Sequence, residues 1–290
     1  MRKATLGVIG GSGVYDLSLL TDVAELDISS PWGEPSAKPI AGMIGETRVV
    51  FLPRHGAGHR FAPSDINYRA NIDVLKRAGV TDLISVSACG SYKEELPPGA
   101  FVLVDQFIDR TFRRETSFFG AGCVAHVSFS DPVAPNLVAR IARAAAVEEI
   151  PHVVGGAYVC MEGPQFSTRA ESVAYKTMGA SVVGMTNMPE AKLAREAELP
   201  YATIAMVTDY DAWRPHESGV GVAEILQVMR GNGEKVRRLL ARLASEFPSE
   251  PEPCPIGSDR ALDFALVTAP EHRDPALLAK LDAVAGRVLG

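Results

Sequence analysis

Pro200-Tyr201-Ala202-Thr203-Ile204-Ala205-Met206-Val207 is an apolar run that stops at Thr208-Asp209-Tyr210-Asp211-Ala212-Trp213. A short run of this composition reads as a buried strand. Similar runs fall at 6–9, 48–52, 82–87, 101–104, 157–161 and 180–183. Helical patterns at 66–78, 136–146, 172–178, 189–197 and 222–243 lie among them. Strands alternating with helices predict an α/β fold with a largely parallel or mixed sheet.

The two acids at the end of the run carry the first chemical expectation. Residues i and i+2 of a strand point to one side, which places Asp209 and Asp211 over one space. Two acids held close cannot both ionise cheaply, so one keeps its proton. One donor beside one acceptor suits a heterocycle that offers a ring nitrogen next to an amino group. An exposed Asp-x-Asp turn fits the same residues, because Asp is common in turns.

The 290 residues are 47% hydrophobic and 22% charged, with a net charge of -6. This is ordinary soluble globular usage, and the length allows one large α/β domain or two small ones. The negative balance argues against nucleic acid or an anionic membrane surface as the main partner. No apolar run reaches the ~18 residues of a membrane span. The N-terminus leads straight into Ala4-Thr5-Leu6-Gly7-Val8-Ile9-Gly10, too short for a signal peptide. Cys89, Cys123, Cys160 and Cys254 are scattered, which fits a reducing cytoplasm and neither a zinc site nor a disulfide framework. The Pro- and Glu-rich stretch EFPSEPEPCPIG suggests a main domain over 1–244, an exposed linker over 245–257 and an extension over 258–290. That extension is expected to carry one helix at 275–288 and to pack back on the body.

Several strand ends carry anion-friendly residues. Gly10-Gly11-Ser12-Gly13 turns backbone N–H groups and the Ser12 hydroxyl toward a ligand, but lacks the third glycine of a dinucleotide fingerprint. Arg54 and His55 follow the strand at 48–52, and arginine offers a planar fork of donors to phosphate. Ser87-Ala88-Cys89-Gly90 follows another strand. Thr168 with Glu171 forms a capping box, and Thr186 or Asn187 can start a helix with Pro189 in its first turn. A plain turn, a surface loop, a tight junction or a cap accounts for each of these alone. In open α/β sheets, however, ligands bind beyond the carboxyl ends of strands. One pocket receiving Ser12, Arg54, His55, Ser87 and Thr186 would hold phosphate. The same pocket receiving Asp209 and Asp211 would hold a nitrogen heterocycle, a pairing that suits phosphorolysis of a nucleoside.

The ordered segments GVIGGSG, PRHG, SACGS, DQFIDRT, EGPQFSTRAES, GMTNMPE and TDYDAW closely resemble the trimeric purine nucleoside phosphorylase family, and within it the S-methyl-5'-thioadenosine phosphorylases. The resemblance runs from about Gly7 to about Leu243. It implies a single-domain nucleoside phosphorylase/hydrolase fold, with a central mixed β-sheet flanked by helices, and a cytoplasmic homotrimer. Ser12, Arg54, His55, Ser87, Ala88 and Thr186 match phosphate-binding positions. Met185 matches a ribose contact, and Phe166 and Ser167 match positions beside the base. Asp209 and Asp211 match the residues that meet purine N7 and the 6-substituent. Val222, Ile225 and Leu226 match the wall around the 5' group; at i, i+3 and i+4 they also share one helix face. His126 matches a position that reaches a neighbouring subunit's site. Gln165 departs from relatives that carry Arg there, which touches interface details rather than the reaction.

The implied reaction is phosphorolysis of 5'-methylthioadenosine to adenine and 5-methylthioribose 1-phosphate. Inorganic phosphate is co-substrate, and neither a cofactor nor a metal is expected. Relatives that use 6-oxopurines carry Asn where this chain has Asp209. The physics agrees, since a 6-oxopurine shows two acceptors whereas a 6-aminopurine shows an acceptor at N7 and a donor beside it. The alternatives are a broader purine nucleoside phosphorylase acting on adenosine, inosine or methylthioinosine, a hydrolytic nucleosidase, and a non-catalytic nucleotide-binding module.

Overall fold

The computed structural model describes residues 3–11, 19–214 and 222–290, with the side chains of 222–224 undescribed. Elements follow in the order β1 Thr5–Gly10, β2 Thr21–Glu25, β3 Ile40–Ile44, β4 Thr47–Pro53, α1 Tyr68–Arg77, β5 Asp82–Ser91, β6 Phe101–Leu103 and β7 Gln106–Arg110. Next come α2 Pro135–Val147, β8 His152–Val154, β9 Ala157–Met161, α3 Arg169–Thr177, β10 Ala180–Gly184, α4 Asn187–Glu196 and β11 Tyr201–Asp209. The chain closes with α5 Val222–Ser245, α6 Pro275–Lys280 and α7 Asp282–Leu289.

The eleven strands among the described residues join one mixed sheet. β1, β4, β5 and β11 run parallel, β4 beside β1, β1 beside β5 and β5 beside β11. Their carboxyl ends therefore share one edge of the sheet. β5 is the branch point: its far end also pairs antiparallel with β10 at Gly90 and Ser91. This corrects the expected strand over 82–87. Ala88, Cys89 and Gly90 are strand residues, because β11 pairs with β5 as far as Gly90.

Four strands, β2, β3, β7 and β8, had no sequence signal strong enough to find them. Every residue of β2 is exposed, so it shows no inward–outward alternation. β8 is only three residues long. The helix expected over 275–288 is two helices. The break places Leu281 at the C-cap of α6 and fully inside the core.

The C-terminal segment lies against the body. Val284 and Ala285 join the core. Arg287 pairs with Glu198 at 2.6 Å, and Arg77 of α1 holds Asp282. The segment also bonds to the long loop between β7 and α2: His126 N donates to Ala265 O at 2.9 Å and Val124 N to Thr268 Oγ1 at 2.8 Å. Cys254 is buried within an otherwise largely exposed stretch at 246–257. Among the described residues no helix is long and apolar enough to cross a membrane.

Candidate active site

The shared edge of β1, β4, β5 and β11 opens into a cavity of about 540 Å³. Arg54 and His55 enter it after β4, Ser87 and Ala88 from β5, and Met185 and Thr186 from the turn between β10 and α4. Asp209 lines it from the end of β11 and Asp211 from just beyond, Phe166 after β9, and Ile225 from α5. Separate strand ends thus deliver to one place most of the residues that the sequence singled out. Ser12 lies outside the described residues, and so does the side chain of Val222.

The remaining expectations fare differently. Ser167 does not line the cavity; its hydroxyl points to Met161 Sδ, 3.4 Å away. Leu226 is half exposed and outside the lining. The turn of α5 that faces the cavity instead presents Ile225 and Met229, spaced one helical turn apart, and Leu226 sits one residue around the axis. His126 is exposed and lines no part of this chain's own cavity.

The Arg54 end of the cavity is densely hydrogen-bonded. Arg54 is 1% exposed and Glu190 is fully buried, and the two form a bidentate pair at 2.6 and 3.0 Å. The guanidinium also donates to Ser85 Oγ at 2.6 Å and to the carbonyls of Ile9 and Val86. Its charge is therefore balanced inside the protein. Ser87 Oγ sits 3.4 Å from Thr186 Oγ1 and 3.1 Å from the Tyr158 hydroxyl, a small cluster of neutral hydroxyls. Asn187 is not part of the cavity; its amide donates to Ser85, Tyr201 and Thr203 in the core.

His55 Nδ1 lies 2.9 Å from the Phe61 carbonyl. A carbonyl only accepts, so Nδ1 carries the hydrogen and Nε2 of the neutral ring is an acceptor. Burial first, then the nearby positive charges of Arg54, His59 and Arg114, pushes His55 down to about 4. The His59 ring stacks on His55 with centroids 4.0 Å apart. His59 lines the cavity and was not foreseen. It gets there through a turn with positive φ at Gly56, Gly58 and His59, which no periodicity reveals.

The acid pair corrects the strand argument. β11 ends at Asp209, and Asp211 stands in a turn at φ 50°. The N–H of Asp211 donates to Asp209 Oδ1 at 2.7 Å, so the segment is a turn, though not the exposed one: Asp211 is buried and both acids line the cavity. Thr208 Oγ1 bonds Asp209 Oδ2 at 2.7 Å and the Cys89 carbonyl at 3.2 Å, while the Tyr92 hydroxyl donates to Asp211 Oδ2 at 2.9 Å. Burial holds Asp209 above the usual carboxylate range, against the bonds donated by Thr208 and the Asp211 N–H; the Asp211 charge adds to the rise. Space for the pair comes from Gly90. A Cβ there would stand 2.9 Å from Asp209 Oδ1 and 3.1 Å from Asp211 Cβ.

Behind the walls, Arg114 joins two of the lining segments. Its Nη1 donates to the carbonyls of Met185 at 2.6 Å and Met188 at 2.5 Å. Its Nη2 donates to the Glu162 carbonyl at 2.8 Å and its Nε to the Glu162 carboxylate at 3.1 Å. Met161, Met185, Met206 and Met229 give the cavity four thioether side chains. Methionine adapts to irregular apolar space and carries no pattern that distinguishes a lining residue from core. Among the described residues no three His, Cys, Asp or Glu side chains are grouped to hold a metal ion.

Residues 5–245 match the family model of the phosphorylase superfamily. The S-methyl-5'-thioadenosine phosphorylase of Bradyrhizobium diazoefficiens is 68% identical, covering 100% of this chain and 99% of that protein. The crystal structure of a methylthioadenosine phosphorylase from an Antarctic soil metagenomic library superposes with a TM-score of 0.89 at 43% identity, covering 98% of this chain and 99% of the other. An S12T mutant of the Schistosoma mansoni adenosine/methylthioadenosine phosphorylase, in complex with methylthioadenosine, superposes with a TM-score of 0.77 at 36% identity over 84% of this chain and 91% of the other. With the parallel strand ends, the acid turn and the buried arginine gathered on one cavity, these likenesses lead to one conclusion: the chain belongs to the phosphorylase superfamily, in the family of the S-methyl-5'-thioadenosine phosphorylases.

Proposed function

We propose that this chain cleaves 5'-methylthioadenosine with inorganic phosphate, giving adenine and 5-methylthioribose 1-phosphate. The observation that carries the reading is one cavity lined both by Arg54, His55, Ser87 and Thr186 and by Asp209 and Asp211. Phosphate is placed among Arg54, His55 and the hydroxyls of Ser87 and Thr186, near Ala88, with Ser12 as a further donor. The neutral His55 ring, an acceptor at Nε2, suits a phosphate oxygen that still carries a hydrogen. The base is placed against Asp209 and Asp211, with Phe166 at its face and Ser167 behind Met161. Met185 meets the ribose, and Ile225 with Met229 forms the apolar wall near the 5' thioether.

Asp209, whose carboxyl burial holds above the usual carboxylate range, donates a proton to N7 and makes adenine a neutral leaving group. The sugar passes through an oxocarbenium-like state, and the phosphate anion on its opposite face stabilises that charge and then bonds to C1'. Phosphate is both nucleophile and counter-charge, so the reaction calls on no protein nucleophile, metal or cofactor.

We also read the working unit as a homotrimer in which His126, exposed on its own chain, completes a neighbour's site. Light scattering tests this, and a fully active monomer at micromolar concentration overturns it.

The reaction is tested by adenine release from methylthioadenosine with and without phosphate. Release that depends on phosphate and yields the sugar 1-phosphate is expected. Equal release without phosphate means hydrolysis, and no release from any purine nucleoside means a binding module.

A further inference from the structure

Tyr92 is buried in a small cluster with Val159, Met161, Ala180 and Val183, behind the wall that carries the acid pair. Its hydroxyl reaches out of that cluster to Asp211 Oδ2 at 2.9 Å. On the other side of the pair, Thr208 Oγ1 is within bonding distance of both the Cys89 carbonyl and Asp209 Oδ2. A hydroxyl has one hydrogen and cannot serve both oxygens. The Cys89 carbonyl only accepts. Toward an ionised Asp209 the hydroxyl donates across the 2.7 Å contact to Oδ2; once Asp209 takes the proton, the Thr208 hydrogen can turn to the Cys89 carbonyl and Oγ1 can accept from Oδ2, so the pair of contacts accommodates a protonated Asp209. Asp211 faces a phenol donor, which fits a carboxylate.

We propose that Tyr92 is a positioning residue that keeps Asp211 ionised, assigns the single proton of the pair to Asp209, and thereby sets the preference for a 6-amino over a 6-oxo purine. The inference rests on the proposed phosphorolysis of methylthioadenosine and goes beyond it to the choice of base. A 6-aminopurine needs a donor at N7 and an acceptor at the amino group, which is the assignment Tyr92 enforces. Without the phenol donor the proton is shared more evenly. Asp211 then spends part of its time as a donor, which suits a 6-oxo group and opposes a 6-amino group.

Tyr92→Phe keeps the ring and removes only the hydroxyl. The test compares kcat/KM for methylthioadenosine and for methylthioinosine in wild type and variant. A hydrogen bond to a charged group is large enough that the ratio should fall about tenfold or more. A ratio within twofold of wild type overturns the proposal, whatever the absolute activity, because a purely structural role lowers both substrates together. A second measurement needs no Tyr92 variant. Asp carboxyl carbons are labelled with carbon-13 in the wild type, and the two resonances are assigned through Asp209→Asn and Asp211→Asn. Asp209 neutral and Asp211 ionised near neutral pH supports the assignment; the reverse overturns it. Failure of the wild type to use methylthioadenosine with phosphate would instead strike the parent reading.

Discussion

Arg54 and Glu190 form a bidentate ion pair sealed from water, and Glu190 also accepts from the Tyr201 hydroxyl at 2.9 Å. Breaking a buried pair from one side leaves an uncompensated charge, at a typical cost of about 3–5 kcal/mol. Arg54→Ala therefore unsettles the fold as well as any phosphate site, and Arg54→Lys is the cleaner probe. A lysine retains the charge and loses the fork. The phosphate KM should rise about tenfold or more while the methylthioadenosine KM changes little. Initial rates across a phosphate series measure this, and an unchanged phosphate KM removes Arg54 from the anion site.

Asp209→Asn keeps a donor and loses the transferable proton. Turnover of methylthioadenosine should drop by about 10²–10⁴-fold, the usual worth of general acid catalysis. Methylthioinosine, whose N7 and carbonyl oxygen both accept from an amide, should lose less. Near wild-type turnover of methylthioadenosine would leave the acid role without support.

Gly90→Ala tests the room that the acid pair occupies. Gly90 has no positive φ, so the backbone tolerates alanine, and the strain falls on Asp209 Oδ1 at 2.9 Å. Small displacements of reacting groups cost up to about 10²-fold in rate. The variant should stay folded by circular dichroism and lose most of its turnover. Full activity would mean that the Asp turn shifts without consequence.

His55 gives the fold an acid-sensitive element. Its pKa is about 4 when folded, against an ordinary value of 6.5, so the unfolded chain binds more protons between these values. Stability is then fully present above the unfolded value, falls as pH drops from about 6.5, and is lost through about 4. In denaturant titrations at pH 7 and pH 5, His55→Gln should show a smaller difference than wild type. An identical difference would assign the acid sensitivity elsewhere.

Ile225 tests the 5' wall. A charge in an apolar lining is costly to desolvate. Ile225→Asp should harm methylthioadenosine more than adenosine, whose 5' hydroxyl is polar. Equal losses for the two substrates would make Ile225 a core residue only.

Much of this arrangement was legible because it follows from strand ends. The apolar runs that became β1, β4, β5 and β11 are buried and parallel, so residues just beyond them were bound to share an edge. Arg54, His55 and the two acids were found in this way; Thr186 instead follows β10, which runs antiparallel to β5. The acids were found for an incomplete reason, since a turn rather than a continued strand brings Asp211 round. His59 and the methionines were not legible. A stacked imidazole depends on two positive-φ glycines, and a lining methionine is spelled like a core one. Glu190 was passed over as a helix residue, yet it holds the charge of Arg54. Leu226 was drawn in by the resemblance, and the helical spacing that supported it names a face without saying how far around the axis the cavity extends.

The backbone bonds between the C-terminal segment and the loop at 122–126 have a reach beyond their own position. Arg114, which fastens the Met185 and Glu162 segments, belongs to that same loop. The stretch after Ser245 lies outside the span shared with the superfamily model, and it works as a splint. It supplies acceptors for the amides of Val124 and His126, in the same β7–α2 loop whose Arg114 ties the Met185 and Glu162 segments. A chain cut at the end of the shared span would keep all the cavity-lining residues and lose the contacts that brace this loop from the other side.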